Sequence, residues 1–121
     1  MLLKRKEVGA IGEKLAIDFL KKRGYKIIQR NFRCREGEID IIVQKDECLV
    51  FVEVRTKKNT AFGTPEESVT LSKREKLISL ADAYIQACNK PPQSWRIDVV
   101  AVELTPDHRV SRLEHIENAV S

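Results

Sequence analysis

Gly37-Glu38-Ile39-Asp40-Ile41-Ile42-Val43, the polar break Gln44-Lys45-Asp46-Glu47-Cys48, and Leu49-Val50-Phe51-Val52-Glu53-Val54-Arg55 form the stretch on which the fold turns. Both runs are rich in β-branched and aromatic residues around a short break, the pattern of a β-hairpin. Strict alternation puts Ile39, Ile41 and Val43 on one face of the first strand and Asp40 with Ile42 on the other. In the second strand Val50, Val52 and Val54 take one face, while Leu49, Phe51, Glu53 and Arg55 take the other. A tight turn centred on Asp46-Glu47 pairs Lys45 with Cys48 and, in the same register, Asp40 with Glu53; a four-residue loop keeps that register. Opposed residues on an antiparallel pair share a face, with Cβ atoms roughly 5 Å apart. Asp-Glu is not a favoured primed-turn pair, so an odd loop or a bulge is what would break this register.

Two carboxylates brought together in a partly buried site repel, and one keeps its proton unless a cation lies between them. Oxygen-only ligands suit Mg²⁺ or Mn²⁺, which polarise a phosphodiester and lower the pKa of a bound water. A cation on a neighbouring position can stabilise charge developing on phosphorus. Asp40, Glu53 and Arg55 supply these parts. As a bare pattern D-x12-E-x-R arises often by chance, and the plain alternative is a surface ion cluster in which Arg55 bridges the two acids.

Outward from the hairpin, Val8, Ile11, Gly12, Leu15, Ala16, Phe19 and Leu20 recur at helical spacing, predicting an amphipathic helix over about 5–23 closed by Gly24. Glu13 falls at the edge of its apolar stripe, where an ordinary solvated glutamate is the simpler reading. Tyr25 to Gln29 is a short strand, followed by an irregular link at Cys34 to Glu36. Thr56 to Thr70 reads as a long loop whose one large apolar residue, Phe62, is expected to pin it to the body. Ser72-Lys73-Arg74-Glu75 fits a capping box, so a second helix is expected to start there and reach about Asn89, stopped by Pro91-Pro92. Trp95 to Val102 is a strand apolar enough to be central, and Val110 to Ile116 is a last, edge strand. The order is α-β-β-β-α-β-β within a single domain, residues 1–121.

At 121 residues and 13.9 kDa, with 42% hydrophobic and 33% charged residues, the composition is that of a globular protein with a heavily charged surface. No apolar run approaches the ~20 residues of a membrane span. Met1-Leu2-Leu3 is followed at once by Lys4-Arg5-Lys6, leaving no leader core after the basic residues, and a cytoplasmic location is expected. Cys34, Cys48 and Cys88 are odd in number and widely spaced, so free thiols are expected, two packed and one partly exposed. His108 and His115 lack partners at zinc-ligand spacing. Net charge is +4 but uneven: residues 1–76 hold 18 of the 22 Lys and Arg and 12 of the 18 Asp and Glu. That asymmetry favours a polyanionic partner, nucleic acid first, while a solvated lysine-rich surface explains it equally well.

Gly37-Glu38-Ile39-Asp40 with Val50-Phe51-Val52-Glu53-Val54-Arg55 resembles the YraN-like family of small bacterial proteins. The resemblance extends through Gly12-Glu13-x-x-Ala16, Gly24-Tyr25, Asn31-Phe32-Arg33, Phe62-Gly63-x-Pro65, Lys73, Arg96-Ile97-Asp98-Val99-Val100 and Asn118-Ala119. That family belongs to the restriction-endonuclease-like PD-(D/E)xK superfamily and is distantly similar to Holliday junction resolvases. The resemblance implies an α/β fold with an αβββαβ core and a mixed sheet flanked by helices. It also implies that Asp40 and Glu53 are ligands for Mg²⁺ or Mn²⁺, that Glu13 is an additional acidic ligand, and that Lys73 is a helix-borne cation beside them. An ion pair on the strand is the expected role of Arg96 and Asp98.

Arg55 stands where the superfamily usually has lysine. It stays protonated and can stabilise charge or position a water but cannot take a proton; Lys57, two residues on along the same face, could. Two functions therefore stay open: a metal-dependent endonuclease hydrolysing DNA, including branched or recombination intermediates, and a non-catalytic nucleic-acid-binding module of the same fold. Arg33, Arg35, Lys57 and Lys58 are the expected nucleic-acid contacts in either case. Resolvase-like action would call for two active sites and hence a homodimer, although no segment announces such an interface.

Overall fold

A computed structural model describes residues 4–120; the reading of Met1 to Leu3 lies outside them. Two helices, α1 (Arg5–Lys22) and α2 (Leu71–Gln86), flank a five-stranded sheet. Its strands are β1 (Lys26–Cys34), β2 (Gly37–Lys45), β3 (Cys48–Lys57), β4 (Ser94–Leu104) and β5 (Val110–Val120). The strands lie side by side in chain order, antiparallel except for β3 and β4. That pair is parallel because α2 carries the chain back between them, as a parallel neighbour requires. The fold is thus α/β with a mixed sheet, compatible with a restriction-endonuclease-like core. Among the described residues no helix is long and apolar enough to cross a membrane.

Each face of the sheet buries its own apolar set. Val8, Ala16, Ile17 and Leu20 of α1 pack on Ile41, Val43, Val50, Val52, Val100 and Val102; Leu77, Leu80 and Ala81 of α2 pack on Ile39, Ile42, Phe51, Ile97 and Val99. The end of α1 is closed as its sequence predicts. Gly24, at φ 89°, donates to the Lys21 carbonyl at 3.0 Å and Tyr25 donates to the Leu20 carbonyl at 3.0 Å, which satisfies carbonyls the helix would leave orphaned.

The hairpin register is the expected one, with Lys45 opposite Cys48 and Ile41 opposite Val52, and Asp46 at φ 55° making the turn. Strict alternation fails in β2, however. Ile39 lies on the α2 face with Ile42, not with Ile41 and Val43. The cause is next door: between the pairs Arg30–Ile41 and Phe32–Ile39, Asn31 takes a left-handed φ of 53° and turns both strands over at Asn31 and Asp40. The same pairing extends β1 to Cys34, past its expected end at Gln29. Helix α2 starts earlier than its capping box suggests. Thr70 is extended, and its hydroxyl accepts from the Lys73 amide at 3.2 Å, so Thr70 is the cap and Ser72 lies inside the first turn. The helix stops at Gln86 rather than Asn89.

Phe62 does not pin the 56–70 segment. It is 95% exposed, while buried Pro65 and Val69 anchor the segment, and a single 3-10 turn runs from Glu66 to Ser68. Cys34, Cys48 and Cys88 are free thiols, and all three are half-buried rather than two being packed away.

Asp98 is fully buried, and it is satisfied on all sides. It accepts from Arg96 Nε at 2.9 Å and Nη2 at 3.2 Å and from the Asn118 amide at 2.9 Å, and pairs with His115 Nε2 at 2.7 Å. Burial alone would raise its pKa; the hydrogen bonds from His115, Arg96 and Asn118 outweigh it and hold the carboxyl below its ordinary range. Arg96 also donates to the Tyr25 hydroxyl at 2.7 Å, which links β4 to the end of α1. The Arg96–Asp98 pair has the ion-pair role expected of it.

Gly12 sets the seat of α1 on β3. A Cβ built there would lie 1.7 Å from Thr56 Oγ1 and 2.8 Å from its Cβ, and a β-branched strand residue has little freedom to withdraw. Gly12→Ala should therefore lower stability by about 2 kcal/mol despite alanine's ~1 kcal/mol better helix propensity. Thr56→Ala should recover part of the loss in the double variant. Urea denaturation followed by circular dichroism measures both; a Gly12→Ala chain as stable as the parent contradicts the close approach.

Candidate metal centre

β2 and β3 part just beyond the Ile41–Val52 pair, and the acids sit in that fork. With no backbone carbonyl of β2 opposite it, the Val54 amide donates to Asp40 Oδ2 at 2.9 Å. The Glu53 carboxyl, 4% exposed, faces the Asp40 carboxyl across the fork, near enough for each charge to act on the other. Burial, and then the Asp40 charge, push Glu53 from its ordinary value of 4.5 to about 7; Asp40 is raised as well, chiefly by burial and against the Val54 amide. Brought together in this way, the two carboxyls resist being ionised at the same time.

Two cations face the same oxygen. Arg55 Nη2 lies 3.0 Å and Lys73 Nζ 3.6 Å from Glu53 Oε2. Arg55 reaches Glu53 alone and does not bridge the acids, and Lys73 is brought in by the first turn of α2. Glu13 lines with Asp40 a cleft of about 620 Å³, whose walls also hold Arg5, Val54, Arg55, Thr56, Lys57, Lys58 and Asn59. Its carboxyl is raised by burial, then by the charges of Asp40 and Glu38. Arg55 Nε and Thr56 Oγ1 are buried without a hydrogen-bond partner.

The structure thus brings together Asp40, Glu53, Arg55 and Lys73, with Glu13, Lys57 and Lys58 along the adjoining cleft. Arg33 and Arg35 stand apart from that cleft's lining. Arg33 is exposed and paired with Glu38 at 2.9 Å, and Arg35 is exposed in the β1–β2 turn. Sequence reasoning missed Glu38, although strand alternation two residues before Asp40 signals it; for the orphaned Thr56 hydroxyl the chain carries no signal.

Among the described residues no three His, Cys, Asp or Glu side chains converge as a ready metal cage. The donor set still fits a hard divalent ion. Mg²⁺ is ordinarily held by one or two carboxylates, with water and substrate oxygens completing its shell, and the buried Glu53 with the half-buried Asp40 are such a pair.

A sequence-profile comparison matches residues 12–102 to the uncharacterised protein family UPF0102. The chain belongs to the UPF0102 family. A UPF0102 protein of Dehalococcoides mccartyi is 49% identical over 120 residues, covering 99% of this chain and 98% of its own. UPF0102 proteins of Symbiobacterium thermophilum (46% over 114 residues, 94% and 96% of the two chains) and Caldanaerobacter subterraneus (40% over 116, 95% of each) are similar throughout. These full-length matches agree with the YraN-like resemblance, and the family's matched region includes the fork and every cleft residue from Glu13 onward.

The raised carboxyls give stability an unusual pH slope. The folded chain holds the Glu53 proton more tightly than the unfolded chain does, so this contribution is complete below about pH 4.5 and is lost as pH rises through 7. Glu53→Gln, which keeps a hydrogen-bonding group but cannot titrate, should flatten the fall in stability between pH 5 and 8. Urea midpoints at the two pH values test this; equal slopes for parent and variant contradict the raised Glu53 carboxyl.

Proposed function

We propose that this protein is a Mg²⁺- or Mn²⁺-dependent endonuclease that hydrolyses DNA phosphodiester bonds. The observation that carries the reading is the pair of buried Glu53 and half-buried Asp40, faced by Arg55 and Lys73 and opening beside a cleft lined with Arg5, Lys57 and Lys58. Asp40 and Glu53 would hold the ion, with Glu13 the further acid at the cleft. Such an ion polarises the phosphodiester and lowers the pKa of water. Arg55 keeps its charge at every working pH and stabilises the negative charge that gathers on phosphoryl oxygens. Glu13, whose carboxyl is raised, is able to accept a proton in the cleft where Arg55 is not. Lys57, Lys58 and Arg5 neutralise flanking phosphates, with Arg33 and Arg35 extending the basic surface. Branched DNA is the expected preferred substrate, cut by two sites of a homodimer.

The Arg55 substitution favours a second reading, a module that binds nucleic acid without cutting it. One experiment separates the two. Branched, duplex and single-stranded DNA are incubated with the purified protein and Mn²⁺, beside Asp40→Asn. The endonuclease reading expects cleavage that falls by more than about 100-fold in the variant, beyond what losing a mere supporting partner of a metal ligand costs. Salt-dependent binding by both proteins without cleavage supports the second reading, and identical cleavage by both rejects the assigned site.

A further inference from the structure

We propose that Phe62 is a base-stacking residue, and that the preferred substrate is DNA with unpaired bases beside the bond to be cut. The inference rests on the nucleic-acid reading above and specifies the substrate of that same cleft.

Phe62 is the most exposed large apolar side chain among the described residues, at 95% against 72% for Leu71 and 43% for Val110. The chain around it is built, not slack. The Gly63 amide donates to the Thr60 carbonyl at 3.1 Å, closing a turn with Phe62 at its third position and Gly63 at φ 112°. The Ala61 amide donates to Asn59 Oδ1 at 2.8 Å, and Lys57 Nζ donates to the Gly63 carbonyl at 3.3 Å. Beyond the turn, the Thr64 amide and hydroxyl both reach Glu67 Oε1 at 2.8 Å, and Glu66 is held by Arg112 at 2.6 Å. Both ends are fastened, so the ring is held out in water rather than left free to fold inward.

Position and surroundings select the ligand. The root of this loop, Lys57, Lys58 and Asn59, is a wall of the cleft that also holds Asp40 and Arg55. A strand of nucleic acid lying along those cations passes the base of the turn. The turn's other residues, Asn59, Thr60, Ala61, Gly63 and Thr64, are small or polar, so Phe62 is a lone ring and not part of a broad apolar patch of the kind that protein partners cover. A lone flat ring beside a basic groove matches the π-face of one nucleobase. In uninterrupted duplex those faces are already stacked on their neighbours; at a branch, bulge or single strand they are free.

The test compares the parent chain with Phe62→Ala and Phe62→Trp, all fully exposed substitutions whose folding is checked by circular dichroism. Affinity is read by fluorescence anisotropy at one fixed salt concentration. The two DNAs are an uninterrupted duplex and the same duplex carrying a two-base bulge with 2-aminopurine in it. The parent should bind the bulged DNA more tightly and change the 2-aminopurine emission. Phe62→Ala should lose about tenfold on the bulged DNA, keep its duplex affinity and abolish the emission change, and Phe62→Trp should retain both. Equal binding of bulged DNA by parent and Phe62→Ala overturns the proposal. An equal loss on both DNAs does so too, as does an altered sedimentation coefficient with DNA binding unchanged, which assigns Phe62 to self-association. Phe62-dependent binding without any cleavage supports stacking and rejects hydrolysis, whereas cleavage indifferent to Phe62 rejects stacking and leaves hydrolysis standing. A chain that binds neither DNA overturns both.

Discussion

The contact between the Asp40 and Glu53 carboxyls is the constraint around which this small fold is arranged. Two acids facing each other, one of them almost wholly buried, are costly inside a sheet of valines and isoleucines. Three features make the cost tolerable: a raised Glu53 pKa that favours its neutral form, the Val54 amide aimed at Asp40, and two cations at Glu53. Each depends on a different element. The amide is free only because β2 and β3 part above Ile41, Arg55 arrives by strand alternation, and Lys73 arrives because Thr70 caps α2 where it does. Such an arrangement opposes stability at neutral pH, when the pair is pressed to lose its proton. A cation between the carboxylates would remove that opposition, and a group kept against stability is a reason to look for function.

The rest of the structure can be seen as support for that fork. The parallel β3–β4 pair is the rigid centre, and the satisfied Asp98 network joins β4 to β5 and to the end of α1. Arg112 ties Glu66 to Glu103 and Glu114, fixing the far side of the loop that begins at the cleft. Gly12 lets α1 lie close enough on β3 for Glu13 to share the cleft with Asp40. The buried acids Asp98 and Glu53 show opposite chemistry from one sheet. Asp98 meets donors on every side and its pKa is lowered, whereas Glu53, desolvated beside another carboxylate, has its pKa raised despite two cations.

Much of this was legible in the chain. Element order followed from apolar periodicity, and the register from the two-residue turn at Asp46-Glu47, which holds from Lys45–Cys48 to Ile41–Val52; Asp40 and Glu53 lie one step beyond, where the strands part instead of pairing as expected. What could not be read depended on contacts distant in sequence or on single backbone angles. Asn31 at a left-handed φ inverts the facing of Ile39, and nothing in a period-two pattern announces it. Thr70 outcompetes Ser72 as the cap of α2 because the entering chain is already extended there. Phe62, expected inside, is held outside by side-chain hydrogen bonds from residues that look like ordinary loop composition. Arg55 and Lys73 were legible as cations, but their convergence on one oxygen of Glu53 required the sheet and α2 together.

The most direct measurement of the central claim is an anomalous-scattering map from crystals soaked in Mn²⁺ above pH 7.5, on the alkaline side of the Glu53 value of about 7. The account predicts a Mn²⁺ peak touching both the Asp40 and Glu53 carboxylates, absent from Glu53→Gln crystals treated in the same way. A map with Mn²⁺ bound elsewhere and none between these two side chains would contradict it.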